Sequence, residues 1–266
     1  MFEDFYGFKH TPFSRTIPTG KLYRGNDSDE LINRLKWAAR QQLFAVMTGD
    51  SGTGKTTTLR RFRDELQNSK YRVLYLSDSK MTPRTFYKES LKQLGFESKS
   101  LRSEAKRQLH KEIEVMKGVH QFLPVIIVDE AHLLDREMLE EVRFLLNYNM
   151  DSESPMALIL AGQTELWEKL KLQSYAAIRQ RIDVQCSIGH MDRSQTGEYI
   201  KTHFKYAGCS KEVFSDTAID DIFQFSSGIP RLINKACSSS LIYGAQNKKN
   251  IIDDRMAKLV IECELS

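Results

Sequence analysis

The most constraining feature of the sequence is a glycine-rich segment of the form G-x-x-x-x-G-K-[ST]. Its residues are Gly49, Asp50, Ser51, Gly52, Thr53, Gly54, Lys55 and Thr56. An apolar run at 43–47 precedes this segment, and a helical pattern at 57–68 follows it. Glycines let main-chain N–H groups turn toward phosphate oxygens, and a helix N-terminus adds partial positive charge. The sequence therefore predicts a phosphate-binding loop between a buried strand and a helix.

The side chains of this loop predict which ligand it binds. A lysine at this position places its ammonium between the β- and γ-phosphates, and the following hydroxyl ligates Mg²⁺. Lys55 and Thr56 supply these groups, and Thr57 extends the nucleotide-binding set into the helix. We expect ATP and Mg²⁺ as ligands.

A second apolar run, at 125–128, ends in two adjacent acids, Asp129 and Glu130. Ligands of open α/β sheets bind at the carboxyl ends of the strands, so these acids are expected near the phosphate loop. Asp129 is predicted to hold Mg²⁺ together with Thr56, and Glu130 to polarise the attacking water as a general base. The alternative is an ordinary acid pair at the end of a strand.

A third apolar run, at 156–160, is followed by Gln163 and Thr164. A polar residue there is expected between the first two sites, where Gln163 would contact the γ-phosphate or the attacking water. The alternative is a structural role in starting the next helix, for which Thr164 is well placed as a cap.

Strands alternating with helices predict an α/β fold, a three-layer sandwich around a parallel sheet of the kind found in P-loop NTPases. Strands are predicted at 43–47, 72–76, 125–128 and 156–160, and helices at 27–42, 57–68, 83–94, 103–118 and 136–148. After residue 189 only helical patterns remain, at 192–207, 215–225, 230–246 and 253–264. We therefore predict an extended N-terminal strap at 1–25, a nucleotide-binding core at 26–189, and a small all-helical lid at 190–266.

The composition bounds the setting in which the protein works. The 266 residues include four widely spaced cysteines, and no apolar run approaches the roughly 18 residues of a membrane span. The N-terminus lacks the basic and apolar regions of a signal peptide. These features favour a cytoplasmic protein with reduced thiols and no membrane partner.

Charge is concentrated in one stretch although the formal net charge is only +4. Between Lys55 and Lys117 the sequence contains about sixteen basic residues but only eight acidic ones. This stretch is either a set of solvated helix faces or a surface that binds nucleic-acid phosphates. A similar choice applies near the N-terminus, where Phe13, Leu22 and Tyr23 would line an adenine pocket or form a hydrophobic strap.

The motifs in this order resemble AAA+ ATPases of the ExeA/GspA type and transposon-encoded ATPases of the TniB/TnsC type. The resemblance rests on the phosphate loop, Asp129-Glu130-Ala131-His132, Gly162-Gln163, Arg179-Gln180-Arg181-Ile182 and Gly228-Ile229-Pro230-Arg231-Leu232-Ile233-Asn234. The first motif is shared with many NTPases, whereas the last is much more restrictive.

The resemblance implies an ATPase that forms rings or helical filaments of identical subunits. Arg231 matches the sensor 2 arginine that reaches the γ-phosphate, and Arg181 matches an arginine finger acting on the neighbouring subunit, with Arg179 as second candidate. Either finger arginine would otherwise form a surface salt bridge. By the same resemblance, Lys80 and Arg84 are expected to contact double-stranded DNA.

Two processes fit this resemblance. The first is DNA transposition, in which the ATPase binds DNA without sequence preference and recruits a transposase. The second is the assembly of a secretion system, as in ExeA. Secretion ATPases of that kind usually carry a transmembrane segment after the core, which the sequence to Ser266 does not show, so transposition is the first expectation.

Overall fold

The computed structural model describes residues 2–78, 80–146 and 154–265, without the side chains of Asn26 and Asp27. The chain divides into two compact units. The α/β unit comprises Asp27–Ser51 and Lys55–Ile188, and the helical unit comprises Met1–Asn26, Gly52–Gly54 and Gly189–Ser266. The three domains expected from the sequence stay a prediction.

The strands are β1 Phe44–Gly49, β2 Tyr71–Leu76, β3 Leu123–Val128, β4 Ala157–Gly162 and β5 Val184–Ile188. The first eight helices are α1 Phe2–Tyr6, α2 Asn26–Gln41, α3 Lys55–Glu65, α4 Pro83–Gln93, α5 Arg102–Gly118, α6 Arg136–Leu145, α7 Thr164–Lys171 and α8 Ala176–Arg179. The last four are α9 Arg193–Ala207, α10 Asp216–Ser226, α11 Pro230–Gln246 and α12 Asp254–Val260. Short 3₁₀ turns lie at Thr19–Lys21, Ala131–Leu133 and Gln173–Tyr175, and a π-helical turn at Ile261–Leu265 ends the described chain.

The five strands of the described chain form one parallel sheet in the order β2-β3-β4-β1-β5. Alternate side chains of β1 enter two different hydrophobic clusters: Phe44 and Val46 pack on one face, and Ala45 and Met47 on the other. Burial on both faces explains why these strands are continuous apolar runs. The predicted parallel α/β fold is confirmed, and the strand order sets β4 between β1 and β3.

Strand β5 is the strand of the described sheet that the sequence prediction missed. Only alternate residues of β5 are buried, and Gln185 and Ser187 between them are exposed. Five residues with this alternation at the edge of a sheet give a much weaker signal than the buried runs of β1 and β4. The predicted C-terminal end of the helix at 136–148 lies outside the described residues.

The N-terminal segment is less extended than predicted, because it contains the short helix α1 and the 3₁₀ turn at Thr19–Lys21. Within the helical unit this segment packs on α9. Lys9 N donates to Ala207 O at 2.7 Å, and Phe13 N donates to His203 Nδ1 at 3.0 Å. The Phe13 ring stacks on the His203 imidazole with 4.8 Å between centroids.

The described residues contain no helix that is both long and apolar enough to cross a bilayer.

The burial of His203 makes the stability of the helical unit depend on pH. Burial lowers the pKa of His203 from 6.5 to about 4, so the unfolded chain takes up a proton that the folded chain excludes. Stability from this group is complete above pH 6.5 and is lost as the pH falls toward 4. We expect about 2 kcal/mol of the free energy of unfolding to be lost between pH 7.5 and pH 5.

Urea denaturation at both pH values measures this loss. The matched variant is His203→Asn, whose side-chain oxygen can accept from Phe13 N but does not titrate. The variant should lose about 2 kcal/mol less than the wild type over the same pH interval. If both proteins lose the same free energy of unfolding, His203 is not the cause of the pH dependence.

Candidate nucleotide-binding site

The phosphate loop joins the end of β1 to the start of α3. Gly52 and Gly54 adopt φ angles of +87° and +101°, a region that side chains beyond glycine rarely occupy. Lys55 is 6% exposed, and its Nζ donates to the carbonyls of Gly49 (2.7 Å) and Asp50 (2.9 Å). The lysine that the sequence assigns to the phosphates is thus held against its own loop.

The Asp129 carboxylate is the most closely held group of the site. It follows β3 and is 2% exposed. Its Oδ2 accepts from Thr56 Oγ1 at 2.8 Å and from the Tyr75 hydroxyl at 2.7 Å, while its Oδ1 accepts from Glu130 N at 2.9 Å. Three donors compensate for the burial of the carboxylate, which would otherwise cost several kcal/mol.

Tyr75 is a site residue that sequence reasoning missed. It lies one residue before the end of β2, in register with Ile127 of β3, which brings its hydroxyl to the acid after β3. Burial and the acceptor carboxylate of Asp129 both raise the pKa of Tyr75, so the hydroxyl keeps its proton and remains a donor. A polar aromatic near the end of the strand next to the acid pair was the available signal.

Glu130 adopts a left-handed backbone conformation, with φ 54° and ψ 32°. Such a conformation is uncommon outside glycine and is concentrated at functional sites. The Glu130 side chain is 45% exposed, and its Oε2 lies 3.5 Å from His132 Nδ1. The two adjacent acids therefore differ: Asp129 is buried and fixed, whereas Glu130 faces solvent.

Gln163 follows β4 and contacts His132, which lies two residues after Glu130; its predicted place between the loop and the acid pair stays a prediction. The Gln163 amide nitrogen Nε2 lies 3.1 Å from His132 Nε2, and Gln163 N lies 3.4 Å from His132 Nδ1. The expectation that Thr164 caps the next helix is wrong. Gln163 occupies the N-cap position without a side-chain cap, and Thr164 Oγ1 instead donates to Asp50 Oδ1 at 2.7 Å.

The oxygens of Thr56 and Asp129 fit a magnesium ion. A hydroxyl and a carboxylate are hard oxygen ligands, and Mg²⁺ in nucleotide sites takes only one or two protein ligands beside water and phosphate oxygens. The two side chains come from different elements and meet within hydrogen-bonding distance, so both can reach one ion.

The remaining residues assigned to the nucleotide differ in exposure. Thr53 is buried, Ser51, Thr56 and Thr57 are exposed, and each belongs to the loop or to the first turn of α3.

Arg231 lies in the helical unit, where it is the second residue of α11 and exposed. Its main-chain N donates to Gly52 O at 3.2 Å, and both residues belong to that unit. A Cβ atom on Gly52 would come within 2.9 Å of Arg231 Cβ, so this contact also requires glycine at position 52.

The aromatic residues considered for an adenine pocket have other partners. Phe13 is 6% exposed and stacks on His203 in the core of the helical unit. The Tyr23 hydroxyl donates to Glu198 Oε2 at 3.0 Å. These contacts favour a hydrophobic strap over an adenine pocket for both residues.

The fold and the loop define a P-loop nucleotide-binding protein. The model of the family described as AAA domain matches residues 38–170, which is 133 of the 266 residues. The chain belongs to this AAA domain family.

Similarity to known proteins extends over longer stretches than this match. General secretion pathway protein A of Aeromonas hydrophila is 27% identical over 249 residues, which cover 91% of this chain and 44% of that protein. Cdc6p of Pyrobaculum aerophilum superposes with a TM-score of 0.69 at 17% identity, over 90% of this chain and 67% of the other. Drosophila ORC bound to DNA gives a TM-score of 0.69 at 17% identity, over 98% of this chain and 65% of the ORC chain. The chain thus spans less than half the length of the secretion protein.

Replacing the Tyr75 hydroxyl tests whether it orients Asp129, the predicted Mg²⁺ ligand. If Thr56 turns toward the ion, Tyr75 is the side-chain donor that continues to hold Asp129. We expect Tyr75→Phe to raise the Mg²⁺ concentration needed for half-maximal binding of a fluorescent ATP analogue by about tenfold. Binding of the analogue without metal should not change.

The matched control is Tyr71→Phe, which removes a hydroxyl from the other end of β2. If Tyr75→Phe and this control need the same Mg²⁺ concentration for half-maximal binding, the Tyr75 hydroxyl does not orient Asp129 for the metal.

Proposed function

We propose that the protein is a Mg²⁺-dependent ATPase whose nucleotide state controls self-assembly and DNA binding, and that it thereby recruits a transposase. The main support for ATPase activity is that Asp129 is hydrogen-bonded to both Thr56 and Glu130 at the carboxyl edge of the sheet, beside the loop of Lys55. Ligands of parallel sheets bind at this edge.

Each side chain of the site has a chemical task in this proposal. Lys55 exchanges its two loop carbonyls for phosphate oxygens, and Thr56 and Asp129 hold the metal. Bound Mg²⁺ would neutralise charge on the transferring phosphoryl group. Glu130 is solvent-facing, which suits a base that must orient a water molecule. Gln163 follows β4, the strand between β1 and β3, and would contact the γ-phosphate or the attacking water.

Arginines supplied by the lid and by a neighbouring subunit would complete the site. Arg231 is proposed as the lid arginine. Of the two finger candidates, Arg179 donates to the carbonyls of Leu170 (3.1 Å) and Lys171 (2.5 Å) at the end of α7, a local structural role. Arg181 donates to Arg143 O at 3.4 Å and stays the first candidate for action in trans, as the resemblance implies.

The support for DNA binding is a basic groove on the α/β unit. This basic groove has a volume of about 400 Å³ and is lined by Arg84, Lys88, Lys92, Phe96, Glu97, Ser98, Lys99 and Ser100. The first three cations stand four residues apart and so share one face of α4. Lys92 pairs at 3.8 Å with Glu89, which leaves a clear excess of positive charge.

The basic groove only partly matches the contacts expected from the sequence. Arg84 lines it, whereas exposed Lys80 does not and has its main-chain N bonded to Asp78 Oδ1 at 2.9 Å. A row of cations beside an exposed aromatic ring suits the phosphates of a nucleic acid, and such binding would be independent of sequence.

Assembly of a secretion system is the second candidate function. It is favoured by the 27% identity to general secretion pathway protein A over 91% of this chain. The ATPase site serves either function, so the partner bound in the ATP state distinguishes them.

Two variants test the ATPase. Lys55→Ala should abolish binding of a fluorescent ATP analogue, because the loop loses its cation. Glu130→Gln should retain binding but lower the hydrolysis rate by at least about a hundredfold, since the base is lost while the metal ligands remain. Phosphate release and analogue binding measure the two effects. Wild-type turnover by Glu130→Gln would remove Glu130 as the base.

Charge reversal in the basic groove tests DNA binding. We expect Lys88→Glu with Lys92→Glu to weaken binding of a random-sequence duplex and to lower the slope of log K against log salt by about 2, one unit per lost phosphate contact. The control is Lys201→Glu with Lys205→Glu, an exposed pair at the same spacing on α9. Equal binding by both double variants would place the DNA surface elsewhere.

A further inference from the structure

One imidazole touches both side chains that are proposed to manage the attacking water. His132 Nε2 lies 3.1 Å from the Gln163 amide nitrogen, and His132 Nδ1 lies 3.5 Å from Glu130 Oε2. The same Nδ1 also lies 3.4 Å from Gln163 N. The acid after β3 and the amide after β4 are thus connected through a single ring.

The backbone around His132 leaves the ring little freedom. The residue lies in the 3₁₀ turn Ala131–Leu133, and its side chain is only 12% exposed. A Cβ atom on Gly162 would approach His132 N to 2.9 Å, so this turn rests directly on the end of β4. Close packing of this kind fixes the main chain from which the ring projects.

A neutral imidazole has one donor and one acceptor nitrogen, and this limits what the ring can do at once. With the proton on Nδ1, the ring donates toward Glu130, and Nε2 accepts from the Gln163 amide. With the proton on Nε2, Nδ1 accepts from Gln163 N, and the Gln163 amide must turn its oxygen to the ring. The orientation of the Gln163 amide and the hydrogen bond to Glu130 are therefore linked.

We propose that His132 is a positioning residue that couples Glu130 to Gln163. When the Gln163 amide faces the ring with its nitrogen, His132 donates to the Glu130 carboxylate and fixes its direction. When the amide turns away or flips, that donor is withdrawn and Glu130 becomes free to reorient toward water. This inference rests on the proposed ATPase function and assigns to it a residue outside the loop and the acid pair.

Steady-state kinetics on three His132 variants test the coupling. We expect His132→Ala to lower kcat by about tenfold to a hundredfold while the Kd for the fluorescent ATP analogue stays within about twofold, because among the described residues the ring bonds to Glu130 and Gln163 rather than to the phosphate loop. His132→Asn retains a polar group near Nδ1, and His132→Gln retains one near Nε2. His132→Asn loses the contact to the Gln163 side-chain amide and His132→Gln loses the contact to Glu130, so each breaks the link and should lower kcat at least about fivefold.

A double-mutant cycle supplies a readout that a purely structural role would not move. Gln163→Ala should lower kcat by a clearly smaller factor in the His132→Ala background than in the wild type, because the link is already broken and only the direct contribution of Gln163 remains. The matched control is His120→Asn, at an exposed histidine after α5, which should keep wild-type kcat.

Two results would overturn the coupling: a wild-type kcat in His132→Ala, or effects of His132→Ala and Gln163→Ala that multiply in full. If His132→Ala fails to fold, the Asn and Gln variants decide, and wild-type kcat in either one overturns it. An inactive wild-type protein would instead contradict the proposed ATPase, so the two failures are distinguishable.

Discussion

The buried carboxylate of Asp129 is the interaction on which the rest of the site depends. A charge at 2% exposure is tolerated only where hydrogen bonds replace its hydration. Its three donors come from α3, from β2 and from the following residue, so the carboxylate joins the phosphate loop, the outer strand and the turn carrying Glu130. Loss of any of these donors would leave the buried carboxylate with fewer hydrogen bonds and destabilise the centre of the site.

The sheet determines which polar groups meet at this carboxylate. Each central strand is a buried apolar run that ends in one or two polar residues, and such a pattern is local enough to be recognised in the sequence. The parallel order then brings the ends of β1, β4 and β3 side by side. The fold class and the positions of Lys55, Asp129 and Gln163 followed from these runs, because burial on both faces leaves an unbroken apolar signal.

What the sequence did not provide are contacts between distant residues. Tyr75 and Asp129 are 54 residues apart, and His132 and Gln163 are 31 apart, so their pairing depends on strand register rather than on spacing. Strand β5 escaped recognition because only alternate residues are buried. The cap expected at Thr164 failed because Asp50, 114 residues earlier, supplies an acceptor for its hydroxyl.

Backbone geometry, rather than catalysis, explains several residues of the restrictive motif that begins at Gly228. Gly228 has φ +76°, and a Cβ atom there would lie 1.8 Å from Met191 O, so only glycine is possible. Pro230 then occupies the first turn of α11, where its missing N–H costs nothing. Much of this motif therefore encodes the start of α11, and this start fixes the position of Arg231, the second residue of the helix. This geometry and the nucleotide site suit either proposed function, so neither separates them. The row of cations on α4 is the observation from which we propose a polyanionic partner.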